Sequence, residues 1–173
     1  LLDENDNVLE LAGPVTNGED PLDGELTITG GGARTTIIDG QANDRIYEIQ
    51  NGTAFTISGV TNRNGDAQGN KGGGVDHRGS GVANLTDVTV SGNTAKDYGG
   101  GIYQSGGTVS LTGVTVADNG KTATSTFMFG GGIYATGATA TLDTLVVTGN
   151  QAQVGGGIAL ASCVQADLAA SLL

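Results

Sequence analysis

Apolar and polar residues alternate along this chain in a phrase that returns at regular intervals. The phrase Leu-x-x-Val-x-Val-x-x-Asn runs from Leu85 to Asn93 and again from Leu111 to Asn119. A third copy begins at Leu142, with leucine in place of its first valine. Self-similarity at a fixed period is typical of stacked repeat architectures, in which each unit packs on the next.

Three glycines followed by Val or Ile form a second repeated phrase. The four copies begin at Gly72, Gly99, Gly130 and Gly155. No helical pattern follows them and no Lys-Ser or Lys-Thr pair is attached, so a phosphate-binding loop is not indicated. We predict instead that the glycines let neighbouring turns of the chain approach closely.

The spacing of the repeats predicts the fold class. The first apolar position of each turn lies at Ile28, Ile57, Leu85, Leu111 and Leu142, at intervals of 29, 28, 26 and 31 residues. Each alternating run has only three to five residues, which suits short strands and not helices. Turns of this length predict an all-β chain, a parallel β-helix (solenoid) of five to six turns with three sheets.

A single domain over residues 1–173 follows from the length and the continuous period. We predict an N-terminal cap and first strand over 1–21, regular turns over 22–160, and a different ending over 161–173. In that last stretch Val164, Leu168 and Leu172 recur at intervals of four without glycine, which predicts a short C-terminal capping helix. A degenerate further turn is the alternative.

The side-chain pattern also predicts what lies inside. Leu85, Val88 and Val90 can all face inward only if the chain bends at Asp87. Val60, Val88, Val114 and Leu145 should then form one apolar column, and Val75, Ile102, Ile133 and Ile158 another. The asparagines that end each phrase, Asn93, Asn119 and Asn150, should form a structural ladder bonded through their amides. They stand next to Gly or Asp, at a point of each turn where the backbone needs a left-handed residue.

Aromatic residues and the longest turn supply candidate contact surfaces. Tyr103 and Tyr134 should face outward one above the other, either as a strip on which sugars stack or as a simple cross-turn pair. Phe129 aligns with Tyr98 and is predicted to be core. Phe127 or Met128, in the longest turn, is then left exposed as a surface contact.

Composition and charge exclude some classes of partner. The formal net charge is −11, from 18 acidic and 7 basic residues, which disfavours nucleic acid and anionic membranes. The lone cysteine, Cys163, cannot form an internal disulfide. No apolar run is long enough to span a bilayer, and the opening on Leu1 suggests a processed or excised segment. We expect an extracellular or cell-surface location.

Several of these phrases resemble a known group of proteins. Leu26-Thr27-Ile28-Thr29-Gly30, Thr36-Ile37-Ile38-Asp39-Gly40 and the later Gly-Gly-Gly-Ile and Gly-Asn copies are similar to right-handed parallel β-helix proteins of the pectate-lyase-like superfamily. Within it they are closest to secreted repeat proteins related to polymorphic outer-membrane protein adhesins. The resemblance covers roughly residues 22 to 160 and implies a right-handed coil. The Phe-x-x-Asn half of the adhesin repeat is absent here.

An enzyme on this fold needs a set of acidic and basic side chains. The resemblance implies paired carboxylates for a glycosidase, or carboxylates beside an Arg or Lys for a lyase. The one candidate cluster is Asp76, His77 and Arg78, which contains the sole histidine. The matching positions of later turns begin with Tyr103 and Tyr134 and offer no second carboxylate.

The sequence contains candidate sites for two further ligands, Ca²⁺ and ice. Asp3, Asn5, Asp6 and Asn7 spell the calcium-binding linker motif seen between cadherin repeats, and Ca²⁺ prefers such oxygen ligands, so Ca²⁺ is the one candidate cofactor. A solvated acidic terminus is the alternative. Thr86 and Thr112, with threonines at 61, 89 and 115, suggest a face such as ice-binding solenoids use, although Asp143 and Val146 interrupt it.

These observations lead to one functional prediction and two alternatives. We predict a non-catalytic extracellular or cell-surface module with a structural or adhesive role, whose partner is itself or a surface glycan or protein. The first alternative is a subunit that stacks end to end into a filament through its unpaired strand edges. The second is a polysaccharide lyase or glycoside hydrolase.

Overall fold

The computed structural model describes residues 25–50, 54–68, 71–121, 128–163, 165–169 and 172. Every helix or strand assigned within these ranges is a β-strand. The predicted N-terminal cap (1–21), the candidate Ca²⁺ ligands Asp3, Asn5, Asp6 and Asn7, and the contact candidate Phe127 lie outside the described residues.

Within the described residues, nineteen strands follow one another. The first seven are β1 (Glu25–Thr29), β2 (Ile37–Asp39), β3 (Tyr47–Ile49), β4 (Ala54–Ser58), β5 (Thr61–Arg63), β6 (Asp66–Ala67) and β7 (Val75–Arg78). The next seven are β8 (Val82–Thr86), β9 (Thr89–Ser91), β10 (Thr94–Ala95), β11 (Ile102–Ser105), β12 (Thr108–Thr112), β13 (Thr115–Ala117) and β14 (Gly120–Lys121). The last five are β15 (Ile133–Thr136), β16 (Thr139–Asp143), β17 (Val146–Thr148), β18 (Ile158–Ala161) and β19 (Gln165–Ala169).

The strands form three long parallel sheets and one minor sheet. The first sheet has the order β1-β4-β8-β12-β16-β19, the second β2-β5-β9-β13-β17, and the third β18-β15-β11-β7-β3. The minor sheet, β14-β10-β6, lies between the second and third sheets along the chain. Because each strand pairs with its counterpart from the previous circuit, the chain is a parallel β-solenoid of about five coils. The predicted fold class is confirmed.

Apolar columns run the length of the coil. One column of the first sheet consists of residues that pair directly from coil to coil and are all buried: Ile57, Leu85, Leu111 and Leu142. Backbone hydrogen bonds between coils connect the predicted column Val60, Val88, Val114 and Leu145. Paired strands of the third sheet hold the other predicted column, Val75, Ile102, Ile133 and Ile158. Both predictions are confirmed, and the columns of the three long sheets form one continuous apolar core.

Left-handed residues turn the chain at the corners between sheets. The predicted bend at Asp87 is confirmed, with a φ of 53°. The predicted left-handed residue at the turn beside the ladder asparagines is also confirmed. It is the residue before each asparagine, Gly92, Asp118 or Gly149, and Asn64 takes the same conformation one coil earlier, all with φ between 55° and 65°.

The glycine triplets are packed against the backbone of the next coil, as predicted. A Cβ atom added to Gly100 would lie 2.6 Å from both Gly120 N and Gly131 O, far inside van der Waals contact. Gly101 would similarly meet Gly132 O at 2.7 Å. The triplets therefore set the distance between coils.

The predicted C-terminal capping helix is wrong, and the alternative of a degenerate further turn is correct. Residues 165–169 form β19, which extends the first sheet by pairing with β16. Leu172 continues the coil through a bridge to Val146. Leu168 stands over Leu142, so its position follows the column of the sheet and not the period of a helix.

Candidate functional site

The candidate cluster Asp76, His77 and Arg78 lies on β7 in the third sheet. Side chains alternate along a strand, so His77 points to the interior while Asp76 and Arg78 point outward. His77 is fully buried and its Nδ1 lies 3.0 Å from Oε1 of Gln104, its register partner. The strand therefore separates His77 from Asp76 and Arg78, and the three residues do not form one site.

The tautomer of His77 follows from its partner. The Gln104 amide donates from Nε2 to Gly106 O at 2.6 Å, which leaves Oε1 to face the imidazole. An amide oxygen accepts hydrogen bonds only, so Nδ1 of His77 carries the proton and donates it. His77 is thus a structural histidine with a defined interior hydrogen bond.

Asp76 is the centre of an outward-facing ion cluster that consists of Arg45, Glu48, Asp76 and Arg78. Arg78 Nε donates to Asp76 Oδ1 at 2.8 Å, and Arg78 Nη2 and Arg45 Nη1 both contact Oδ2. Glu48 lies 3.5 Å from Arg45 Nη1 and 3.7 Å from Arg78 Nη1. The cluster pairs two carboxylates with two guanidinium groups, which satisfies the buried carboxylate of Asp76.

Burial controls the ionisation of Asp76. Its side chain has no exposed surface, and this burial raises the pKa of Asp76. The hydrogen bond and charge of Arg78, and the charge of Arg45, lower the pKa and offset only part of the rise. A carboxylate bound by two arginines in this way is held in place and is not free to contact a substrate.

Replacement of Asp76 by alanine should destabilise the fold by about 1–3 kcal/mol, because two guanidinium groups lose their shared partner. The matched control is Glu48→Ala, whose side chain is 38% exposed and should cost less than about 0.5 kcal/mol. Urea denaturation followed by circular dichroism measures both. Equal losses for the two variants would contradict the assigned role of Asp76.

An aromatic stack lies beside the ion cluster on the outer face of the third sheet. It consists of Tyr98, Tyr103, Phe129 and Tyr134. The rings of Tyr103 and Tyr134 are parallel within 2° at a centroid distance of 5.7 Å, and the rings of Tyr98 and Phe129 are also stacked at 5.7 Å. Tyr98 and Tyr134 connect the two pairs at 4.8 Å. The predicted positions of Tyr103 and Tyr134, one above the other, are confirmed.

The exposure predicted for this stack is partly wrong. Tyr103 is only 4% exposed, because Tyr98 packs on it and the ammonium of Lys71 lies 4.7 Å from its ring centroid. Tyr134 is half-buried. The prediction of Phe129 as core is also wrong, since it packs outside the third sheet and is half-buried. Tyr103 therefore offers little ring surface on which a sugar could stack.

Met128 was predicted as an exposed contact and is instead fully buried. It packs with Ala67, Ala95 and Ala152 in a small second cluster along the minor sheet. Its backbone N–H donates to the side chain of Gln153 at 2.7 Å. Alanines leave room on that side of the coil, and the unbranched methionine fills it.

The predicted asparagine ladder is present. Asn119 Oδ1 accepts hydrogen bonds from the backbone N–H and the Nδ2 of Asn93, both at 2.9 Å. Asn150 Oδ1 accepts the same two bonds from Asn119, at 2.9 and 3.0 Å. Each Nδ2 also donates to a carbonyl of the preceding coil, such as Asn119 to Val90 O at 2.8 Å. The ladder satisfies buried backbone groups at one corner of every coil it spans.

The threonines of the predicted ice-binding face lie on two different sheets. Thr86 and Thr112 are register partners on the first sheet. The other members of the proposed array lie on the second sheet, where Thr61, Thr89 and Thr115 are paired with one another. The array is therefore divided between two faces and does not form one surface.

Arg45, Glu48 and Gln104 were not identified from the sequence as partners of the candidate cluster. For Arg45 and Glu48, the spacing of the repeats contains a signal. Glu48 pairs with Asp76 across β3 and β7, which are one coil apart. Two carboxylates side by side require nearby cations, and Arg45 and Arg78 are the basic residues closest in sequence to those strands. Knowledge of the strand register would have indicated the cluster.

A second carboxylate, Asp39, lines a surface cavity of about 470 Å³ at the corner after β2. Burial raises its pKa, but hydrogen bonds from Gln41 N–H, Arg63 and Asn64 outweigh that effect and hold the pKa of Asp39 below its usual value. Arg63 Nε donates to Asp39 at 2.7 Å. Asp39 is thus also bound by a guanidinium group.

Comparison of the chain with protein-family models, with curated proteins and with solved structures finds no match. The relation to the pectate-lyase-like superfamily and to the adhesin repeats therefore stays a prediction. Among the described residues, no three His, Cys, Asp or Glu side chains are grouped so that they could hold a metal ion. That part of the chain likewise contains no helix with the length and apolar character needed to cross a membrane.

Proposed function

We propose that the chain is a non-catalytic structural module, a segment of solenoid that acts outside the cell or at its surface. The observation that carries the proposal is the state of the Asp76, His77 and Arg78 cluster. His77 is turned into the core and bonded to Gln104, and Asp76 is held between two arginines. Asp76, His77 and Arg78, the residues best suited to acid–base catalysis, are therefore engaged in contacts that join neighbouring coils.

The other polar groups of the coil support the same proposal. The ladder asparagines bond to one another and to backbone carbonyls, and Asp39 is bound by Arg63. Hydrogen bonds between successive coils are what a rod that transmits force or spans a distance requires, because each coil must be held to the next. The location outside the cell rests on the acidic composition and on the resemblance to secreted repeat proteins.

A polysaccharide lyase assay tests this proposal directly. We expect no rise in ultraviolet absorbance when the chain is incubated with pectin or alginate and Ca²⁺, because the acidic and basic side chains that the structure describes around Asp76 are paired with one another. A rise in absorbance that disappears in Arg78→Ala and persists in Arg63→Ala would contradict the proposal. The second variant is a matched control, since Arg63 binds a carboxylate on a different face.

A further inference from the structure

The outer face of the first sheet carries a regular array of hydroxyl side chains, which we call the hydroxyl face. Residues that alternate with the buried columns of β1, β4, β8, β12 and β16 point outward and are exposed or half-buried. They form two columns, Thr27, Thr56, Asn84, Ser110 and Thr141, and Thr29, Ser58, Thr86, Thr112 and Asp143. This array differs from the one predicted from the sequence, whose threonines lie on two sheets.

The strand register sets the spacing of the hydroxyl face in two directions. Every residue of the two columns pairs directly with its counterpart one coil away, and the register does not shift from β1 to β16. Neighbouring strands lie about 4.8 Å apart, and alternate residues of one strand lie about 6.7 Å apart. The face is therefore a two-dimensional lattice of short polar side chains, and a ligand that matches it must repeat in the same two directions.

The hydroxyl groups at the centre of this face are available to a ligand. The side chains of Thr86, Ser110 and Thr112 have no hydrogen-bond partner in the part of the chain that the structure describes. Thr86 and Thr112 are register partners, and the strand spacing of about 4.8 Å exceeds the roughly 2.7 Å of a direct bond between hydroxyls. A water molecule placed between two such hydroxyls can bond to both. The face thus presents regularly spaced sites for ordered water.

The chemistry of the hydroxyl face indicates which lattice fits it. Its two columns contain no basic side chain and no aromatic ring, and their one carboxylate, Asp143, lies on β16. The third outward column is also uncharged from β4 to β16, where it consists of Ala54, Val82, Thr108 and Thr139. Sugar rings stack on aromatic side chains, which this face lacks. A hydroxyl group both donates and accepts hydrogen bonds, as water does, so a neutral lattice of water molecules fits the face best.

We propose that the hydroxyl face binds the surface of ice. Water held between neighbouring hydroxyls forms an ordered layer at the spacing of the sheet, and this layer joins the water lattice of the ice surface. The methyl groups of the threonines lie between the hydroxyls and restrict the orientation of that water. The inference goes beyond the proposed structural role, and a chain without affinity for ice would leave that role intact.

Thermal hysteresis, the gap between the melting and freezing points of an ice crystal in a solution of the intact chain, tests the proposal. We expect a measurable gap and faceted crystals, because bound protein blocks growth of the ice surface. Ser110→Lys should remove both effects, since a long charged side chain at the centre of the face holds the ice surface away from the array. The matched control is Thr115→Lys, which changes a half-buried residue of the same coil on the second sheet and should leave the gap unchanged.

The outcomes are distinct. Absence of thermal hysteresis in the unmodified chain overturns the proposal, and so does an equal loss in Ser110→Lys and Thr115→Lys. Binding to crystalline cellulose without thermal hysteresis also overturns it, because the face would then match a sugar lattice. Circular dichroism checks that each variant is folded. Thr86→Lys, at an exposed position of the neighbouring strand, repeats the test if Ser110→Lys does not fold.

Discussion

Replacement of Asn119 by alanine is expected to lower the free energy of unfolding by about 3–5 kcal/mol, the largest effect of any single side chain in the ladder. Asn119 is 1% exposed and takes part in hydrogen bonds on both of its sides. Its removal leaves two donors of Asn93 and the carbonyl of Val90 without their partner in a buried corner. Water has little access to replace these bonds.

Asn84→Ala is the matched control for Asn119→Ala. Asn84 lies on the outer face of β8 and is half-exposed, so its loss should cost less than about 0.5 kcal/mol. Urea denaturation of both variants and of the original chain gives the comparison. A small effect at Asn119, similar to that at Asn84, would show that the ladder contributes little to the stability of the coil.

Replacement of Gly100 by alanine should destabilise the coil by on the order of 3 kcal/mol. The added Cβ would overlap the backbone of Gly120 and Gly131, which belong to the next coil. Backbone atoms of paired strands cannot move away as a flexible side chain can, so the two coils must separate locally. The thermal midpoint and the urea midpoint should both fall.

Gly31→Ala is the matched control, because it makes the same chemical change at a position where a Cβ atom has room. The nearest atom to a Cβ at Gly31 is Thr35 Oγ1 at 3.7 Å, which is ordinary contact. That substitution should leave stability unchanged or raise it by up to about 1 kcal/mol, because alanine reduces the freedom of the unfolded chain. If both variants behave alike, the glycine triplets do not set the distance between coils.

Periodicity was sufficient to predict the architecture of the coil. The interval between Leu85 and Leu111 identified the residues that pair, and the inward set required the bend found at Asp87. The ladder at Asn93, Asn119 and Asn150 followed from the same register. Repeated local pattern determines these features, because each coil packs mainly on its neighbours.

The outer layer and the last turn could not be predicted in the same way. Tyr103 is buried because Tyr98 and Lys71, from the segment before each triplet, fold over the third sheet. This packing joins two segments on the outside of the coil, and strand alternation carries no information about it. The period of four in residues 161–173 predicted a helix, but pairing with β16 outweighed that weak local preference.

The cluster of Asp76, His77 and Arg78 shows why the geometry of the candidate site could not be predicted from the sequence. Adjacent residues in a strand point to opposite sides, so proximity in sequence did not place His77 with Asp76. The partners of Asp76 depend on how β3 aligns with β7, a pairing across 28 residues that the sequence alone did not fix at this early coil. Residue types were enough to suggest the candidate site, but the pairing of the strands determines which of its side chains meet.

Oxidative cross-linking between adjacent coils tests the central claim of stacked coils most directly. In a Cys163→Ala background, Thr86→Cys with Thr112→Cys places two exposed cysteines on register partners. Neighbouring strands lie about 4.8 Å apart, within the distance that a disulfide bridges. We expect an intramolecular disulfide for this pair and none for Thr86→Cys with Asp143→Cys, which lie two strands apart in the same column. Absence of the first disulfide, or equal formation of both, would contradict the stacked coil.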